Sequence, residues 1–170
     1  MSNIDNTQAG LLRRLATFLY DGLLILALVL IATALTLPFH NVNKGDAGNI
    51  LMSIYLITVV FLFFGWFWTH GGQTLGMRAW RIKLIANNGS EVSWDQALVR
   101  FLIGLPAWLL FIVGLMMNYS ERDLGILLMP DWGLMLLGAV WIAADNWPGL
   151  WRDQLSRTKV VVLPKIQKTA

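Results

Sequence analysis

The sequence predicts an all-α membrane protein: four transmembrane helices with a short cytoplasmic β-hairpin between the second and the third. Three observations carry this. The 170 residues are 56% hydrophobic and only 14% charged, where a soluble domain carries about 25% charged residues. Mean hydropathy is +0.59. Windows free of formal charge cover 22–43, 47–77, 101–120 and, more briefly, 132–144, and a helix needs ~20 apolar residues to cross a hydrocarbon core. Nine Trp and eight Phe beside ten acids and thirteen bases do not make a water-facing surface. A soluble enzyme and a disordered tail are excluded. Without cysteine there is no disulfide framework, no thiolate nucleophile and no Cys-based metal site.

The length fits a single domain, 1–170. Its first span is expected at about 15–37, ending before Pro38-Phe39, and its second at about 50–68, apolar on every face. The third is expected at about 97–117. The fourth, at about 131–147, is cut short because Pro130 breaks the apolar run Leu124–Met129. Four spans place all of the thirteen basic residues except Lys44 and Arg122 on one side, in the two tails and the second loop. That is the positive-inside pattern, with both termini cytoplasmic and a basic C-terminal tail at 152–170. Trp66, Trp68, Trp132, Trp147 and Trp151 fall near span ends, as an aromatic belt requires. Arg13-Arg14, an apolar stretch and Ala32-Thr33-Ala34 imitate a cleaved signal peptide. Asp21 in or beside that stretch, and the charge balance lost on cleavage, argue for a retained first span. The net charge of +3 flanks the spans, so it suits anionic headgroups rather than nucleic acid.

In the second loop, Ile82 and Leu84 alternate with Arg81 and Lys83, and Asn88-Gly89 offers a φ > 0 turn. Val92 and Trp94 continue the alternation, so a hairpin across Trp80–Trp94 is expected. Ser93-x-x-Gln96 fits a capping box that opens the third span, with Asp95 in its first turn.

Three polar patches stand out in this apolar chain. Arg14 and Asp21 lie seven apart on one helix face; Gly72-Gln73-Thr74-Leu75-Gly76-Met77-Arg78 is followed by Arg100; and Trp151-Arg152-Asp153-Gln154-Leu155-Ser156-Arg157-Thr158 precedes a strand-like run. In this order they resemble the RDD family of bacterial multi-pass membrane proteins over about residues 10–163. The resemblance matches Arg14, Asp21 and Asp153 to the arginine and two aspartates that name the family. It matches Gly72–Gly76 to a G-Q-T-x-G turn and Arg100 to an arginine opening the next helix. Met77-Arg78 departs slightly, since many members carry Lys-Arg. The family implies an inner-membrane location and suggests transport of ions or other small ligands.

The charged residues admit two uses each. An acid at mid-bilayer costs ~2.5–3.5 kcal/mol, so Asp21 should face other helices and find a partner. Arg100 is the expected partner and Arg14 the alternative; the pair is either a structural lock or part of a cation or proton site. Asp153 is expected as a turn cap or a partner of Arg14, Arg78 or Arg152. Arg14, Asp21, Arg100 and Asp153 map to one leaflet, which favours a single interfacial cluster. Asp145, ending the fourth helix against the macrodipole, should have a basic partner or an ion. Asp131 reads as an N-cap. Gly72, Gln73, Thr74, Gly76 and Arg78 form a polar turn that either caps the loop or lines a site. Ala139 and Ala143 offer small-residue spacing for close helix packing.

His40 and His70 fall on opposite expected faces, so no zinc site is expected. No G-x-S-x-G, Walker A or GxGxxG pattern occurs, which leaves no expectation of an enzyme or a cofactor. The functional expectation is a small antiporter exchanging sodium, potassium or lithium for protons at Asp21, acting as a homo-oligomer in the lipid bilayer. The alternative is a non-catalytic scaffold or accessory subunit that binds partner helices or anionic lipid.

Overall fold

The computed structural model describes residues 7–37, 46–119 and 132–164. Expectations that rest on Pro38, His40, Lys44, Arg122, Pro130, Asp131, Lys165 and Lys168 lie outside them. In chain order the elements are α1 (Leu11–Thr36), α2 (Asp46–Thr69), a short α3 (Leu75–Ala79), β1 (Ile82–Ala86), α4 (Trp94–Tyr119), α5 (Trp132–Asp145), a short α6 (Trp151–Leu155) and β2 (Thr158–Val162).

Three helices, α1, α2 and α4, are long and apolar enough to cross a membrane. Their outer faces are open: Leu12, Leu19, Leu23, Leu51 and Leu30 are more than half exposed, as side chains surrounded by hydrocarbon should be. The fourth apolar helix, α5, has 14 residues and so rises about 21 Å, short of a typical ~30 Å core. It packs closely on α4 through glycine. A Cβ on Gly114 would strike the backbone of Leu134 and Met135, and one on Gly138 the backbone of Phe111. The close approach runs through these two glycines, which the sequence reading did not single out.

Ser93 and Gln96 form the expected capping box at the start of α4: Ser93 N donates to Gln96 Oε1 at 3.2 Å and Gln96 N to Ser93 Oγ at 3.5 Å. Pro106 lies inside α4, a position that transmembrane helices tolerate because neighbouring groups satisfy the freed backbone.

The hairpin expectation needs correction. Residues 82–86 do form a strand, but its antiparallel partner is β2, with Leu84 opposite Val160. Asn88-Gly89 is a turn, yet Val92 and Trp94 do not return along β1. Val92 is buried in the core, and Trp94 already opens α4. The Val160–Val162 run is the better partner because it brings Val160 and Val161 into complete burial beside Ile82 and Leu84. The C-terminal segment is therefore not merely a basic tail: 151–162 is a helix and a strand. Gln8 bridges to Val161 and Ala9 N donates to Val160 O at 2.9 Å, so the N-terminal segment closes the outer edge of β2.

The element order repeats. Each half runs long helix, second helix, five-residue helix, five-residue strand. Each short helix is followed by an arginine in the left-handed region, Arg81 at φ 52° and Arg157 at φ 51°, opening the matched segments Arg-Ile-Lys-Leu and Arg-Thr-Lys-Val. The strand register is symmetric about Leu84–Val160: Ile82 faces Val162 as Ala86 faces Thr158. Two equivalent hydrogen bonds flank the sheet, Asn87 N to Arg157 O at 3.0 Å and Leu163 N to Arg81 O at 2.8 Å. The two strands and the bonds that flank them are thus related by a pseudo-two-fold through the sheet. Beneath it, Ile82, Leu84 and Val160 pack on Trp68, Met77 and Phe101 from the helix ends.

Candidate functional site

α1 presents one buried polar face. Arg14, Thr17 and Asp21 follow helical spacing, and all three are buried. Asp21 does not pair with Arg100. Its Oδ2 accepts from Thr74 Oγ1 at 2.5 Å and its Oδ1 from Gly76 N at 2.9 Å. Thr74 is itself the N-cap of α3, accepting from Met77 N at 3.2 Å. Gly76 has to be glycine: a Cβ there would lie 2.8 Å from Asp21 Oδ1 and from Thr17 O. Two neutral donors, and no basic group among the described residues, hold this buried carboxylate.

Arg100 is drawn elsewhere because α6 brings Asp153 between α1 and α4. Asp153 Oδ1 accepts from Arg100 Nη1 at 2.8 Å and Oδ2 from Arg14 Nη1 at 2.7 Å, with all three side chains at most 6% exposed. Gly149 N adds a 3.2 Å bond to Oδ2. Arg100 Nη1 also donates to Thr158 Oγ1 at 2.8 Å, and Arg14 Nε to Ala9 O at 3.1 Å. Burial alone would raise the Asp153 carboxyl, but the charges and hydrogen bonds of Arg100 and Arg14 outweigh it and hold the group below the ordinary carboxylate range. A second pair joins Arg152 Nη1 to Asp145 Oδ2 at 3.0 Å, and Trp151 Nε1 donates to Asp145 Oδ1 at 3.0 Å. Arg152 is pulled down to about 10, chiefly by burial and then by the nearby Arg100 charge, against the pull of Asp145 and Asp153. It remains charged at neutral pH.

The expected polar turn divides. Thr74 and Gly76 reach Asp21. Gly72, at φ 71°, accepts from Leu84 N at 2.7 Å, and Gln73 Nε2 donates to Ile82 O at 2.7 Å, so these two anchor β1. Arg78 is exposed and joins neither cluster.

Arg14, Asp21, Arg100 and Arg152 all line one cavity of about 320 Å³. It lies between the two repeats, with Phe64 and Trp68 contributed by the first half and Trp108 and Val160 by the second. Trp68, expected in an aromatic belt, is instead only 3% exposed and sits 6.0 Å from the Arg100 guanidinium. Among the described residues the buried side-chain atoms without a partner are Arg14 Nη2, Arg100 Nε, Arg152 Nε and Trp68 Nε1. All four are donors on cavity-lining residues. Among these residues no group of three or more His, Asp or Glu is placed to hold a metal ion.

Thr17 and Gly104 belong to this site but were not singled out in the sequence; Trp68 was expected only in an aromatic belt, and Thr158 only as the end of the third polar patch. The Arg14/Thr17/Asp21 spacing was the available signal for Thr17. Gly104 lies where a Cβ would come within 3.3 Å of the Arg152 guanidinium.

Apolar spans, a polar cluster buried at one end of them and a cavity between two halves define an integral, multi-pass membrane protein. The chain belongs to the RDD family, whose model matches residues 8–155. No curated protein and no solved structure matches it.

Proposed function

We propose that this protein exchanges a monovalent cation, sodium, potassium or lithium, for protons, with Asp21 as the group that alternately holds the proton and the cation. The reading rests above all on Asp21 itself: a buried carboxylate without a basic partner among the described residues, lining a cavity. Each oxygen accepts one hydrogen bond, and a carboxylate offers about four acceptor sites, so coordination is left over for a cation. Ionisable residues within membrane spans mark such pathways, and transporters built from repeats place their sites at the repeat interface. In this reading α5 is a fourth span, both termini and the sheet are cytoplasmic, the chain works in the inner membrane as a homo-oligomer, and it is not an enzyme. The expected ion pair between Asp21 and Arg100 plays no part, which leaves Asp21 freer to change state than that pairing would have.

The test is the full chain in liposomes under a sodium, potassium or lithium gradient with a trapped pH dye. Asp21→Asn keeps an oxygen for Gly76 N, and the Thr74 hydroxyl can accept from the new amide, so the variant should insert and fold. Wild type should move protons against the gradient, and the variant should not. A well-folded Asp21→Asn protein that exchanges at the wild-type rate removes Asp21 from the mechanism. Absence of flux for all three ions in wild type favours the second reading, a scaffold or accessory subunit. What supports that alternative is the Arg14–Asp153–Arg100 network, which ties α1, α4 and α6 together as a lock would.

A further inference from the structure

Asp21 stands where the cavity changes character. Toward the helix starts lie the basic residues of the wall, each already engaged: Arg14 and Arg100 by Asp153, and Arg152 by Asp145. An ionised Asp21 completes their balance, three carboxylates against three guanidiniums. A cation that takes the place of the Asp21 proton therefore leaves the site with the same charge in either loaded form. Beyond Asp21 the wall is apolar. Ile25 and Val29 follow it at intervals of four along α1, about 6 and 12 Å further from the helix start at 1.5 Å per residue. Val60 of α2 and Leu105, Leu109 and Ile112 of α4 complete this arm.

Aromatic rings line the same wall. Phe18, one turn before Asp21, stacks on Trp108 with ring centroids 4.4 Å apart. The Trp108 ring lies 3.9 Å from where a Cβ on Gly22 would stand. Phe64 and Trp68 stack at 5.0 Å. Aromatic faces attract cations, and ammonium ligands are held in this way. A small-ligand site is typically an apolar cavity with a few placed polar groups, and about 320 Å³ falls at the lower end of that class. An inorganic ion would use the carboxylate and leave the arm unused. The occupant that uses both parts has a positive N–H head and a hydrocarbon body.

We infer that this cavity binds a hydrophobic ammonium ion, with its N–H donors on the spare acceptor positions of Asp21 and its hydrocarbon body in the arm between α1, α2 and α4. The inference deepens the exchange reading and rests on one part of it, that Asp21 holds a cation. It does not require transport of sodium, potassium or lithium, and binding is measured without flux.

The experiment is a thermal-unfolding titration of the full chain at neutral pH in a non-ionic maltoside detergent. The probes are octylammonium, octanol, octanoate and ammonium. Octylammonium should raise the midpoint saturably, while the same chain with a neutral or negative head, and ammonium without a chain, should not. Asp21→Asn removes the charged acceptor and should raise the half-saturating octylammonium concentration roughly tenfold or more. Ile25→Trp fills the arm without touching a hydrogen bond of Asp21 and should weaken binding by a similar factor. Val29→Trp, one turn further along the same wall, takes its place if Ile25→Trp does not fold. Equal protection by octanol or octanoate would make this a plain apolar cavity, and equal protection by ammonium would leave the arm without a role; each overturns the inference. So does an unaltered octylammonium response in Asp21→Asn or in the folded tryptophan variant, or no response of wild type. Octylammonium protection without flux of any inorganic cation in liposomes upholds this inference while the exchange reading fails; flux without protection does the reverse.

Discussion

Asp153 accepts a guanidinium on each carboxylate oxygen in a buried setting, and among the described residues neither Arg14 nor Arg100 pairs with another carboxylate. Removing one partner from a buried pair leaves an uncompensated charge and costs ~3–5 kcal/mol. Asp153→Asn should therefore lower the thermal midpoint in detergent sharply, and more than Asp21→Asn, which strands no cation. The effect should also depend on pH. Asp153 is held below its ordinary value by Arg100 and Arg14 against the opposing effect of burial. Its stabilisation is therefore present above the unfolded value of ~3.9 and lost as pH falls through the native one. Unfolding midpoints measured from neutral to acid should show the gap between wild type and Asp153→Asn closing below about pH 4. A gap that stays constant would remove Asp153 from the titration.

At the scale of elements, two packing devices are testable. Gly114 and Gly138 let α4 and α5 approach to backbone contact, whereas a methyl group on Gly22 would meet only the Trp108 ring edge, at 3.9 Å. Overpacking costs ~1–3 kcal/mol, so Gly114→Ala and Gly138→Ala should each destabilise the protein by that order, while Gly22→Ala should be close to neutral by the same thermal assay. The sheet offers a second check. Ile85 and Lys159 face each other across β1 and β2, and the protein has no cysteine of its own. Ile85→Cys with Lys159→Cys should form a disulfide on mild oxidation, seen as a cross-linked peptide pair after proteolysis. Cross-strand neighbours lie within the Cα separation a disulfide spans. Failure to cross-link in folded protein would count against this register.

For the whole molecule, the repeat explains why charge, sheet and cavity gather at one end. α1 and α4 both start beside the sheet, α2 and α5 both lead back to it through α3 and α6, and the strands meet across the pseudo-two-fold. Reporter fusions after Lys44, Gly89 and Lys168 should read outside, inside and inside, as the distribution of basic residues requires. A C-terminus outside would sink the four-span arrangement.

The sequence by itself determined the membrane class, the positions of the long helices to within a few residues, the capping box at Ser93 and which charged residues would be out of place on an apolar surface. These are legible because they rest on local quantities: apolar run length, helical spacing and the rarity of charge in hydrocarbon. Tertiary structure alone decided the partners. Asp21 had an arginine within plausible reach, but Thr74 and Gly76 of the polar turn reach it first, and Asp153 takes both Arg14 and Arg100. The strand Ile82–Ala86 could be read from alternation, whereas its pairing with Thr158–Val162 could not. A local turn closes a short loop cheaply, and a distant strand prevails only through the burial it completes, here the core around Leu84 and Val160 to which the helix ends contribute Trp68, Met77 and Phe101. Long-range pairing depends on which groups the whole fold brings together, and no window of sequence contains that information.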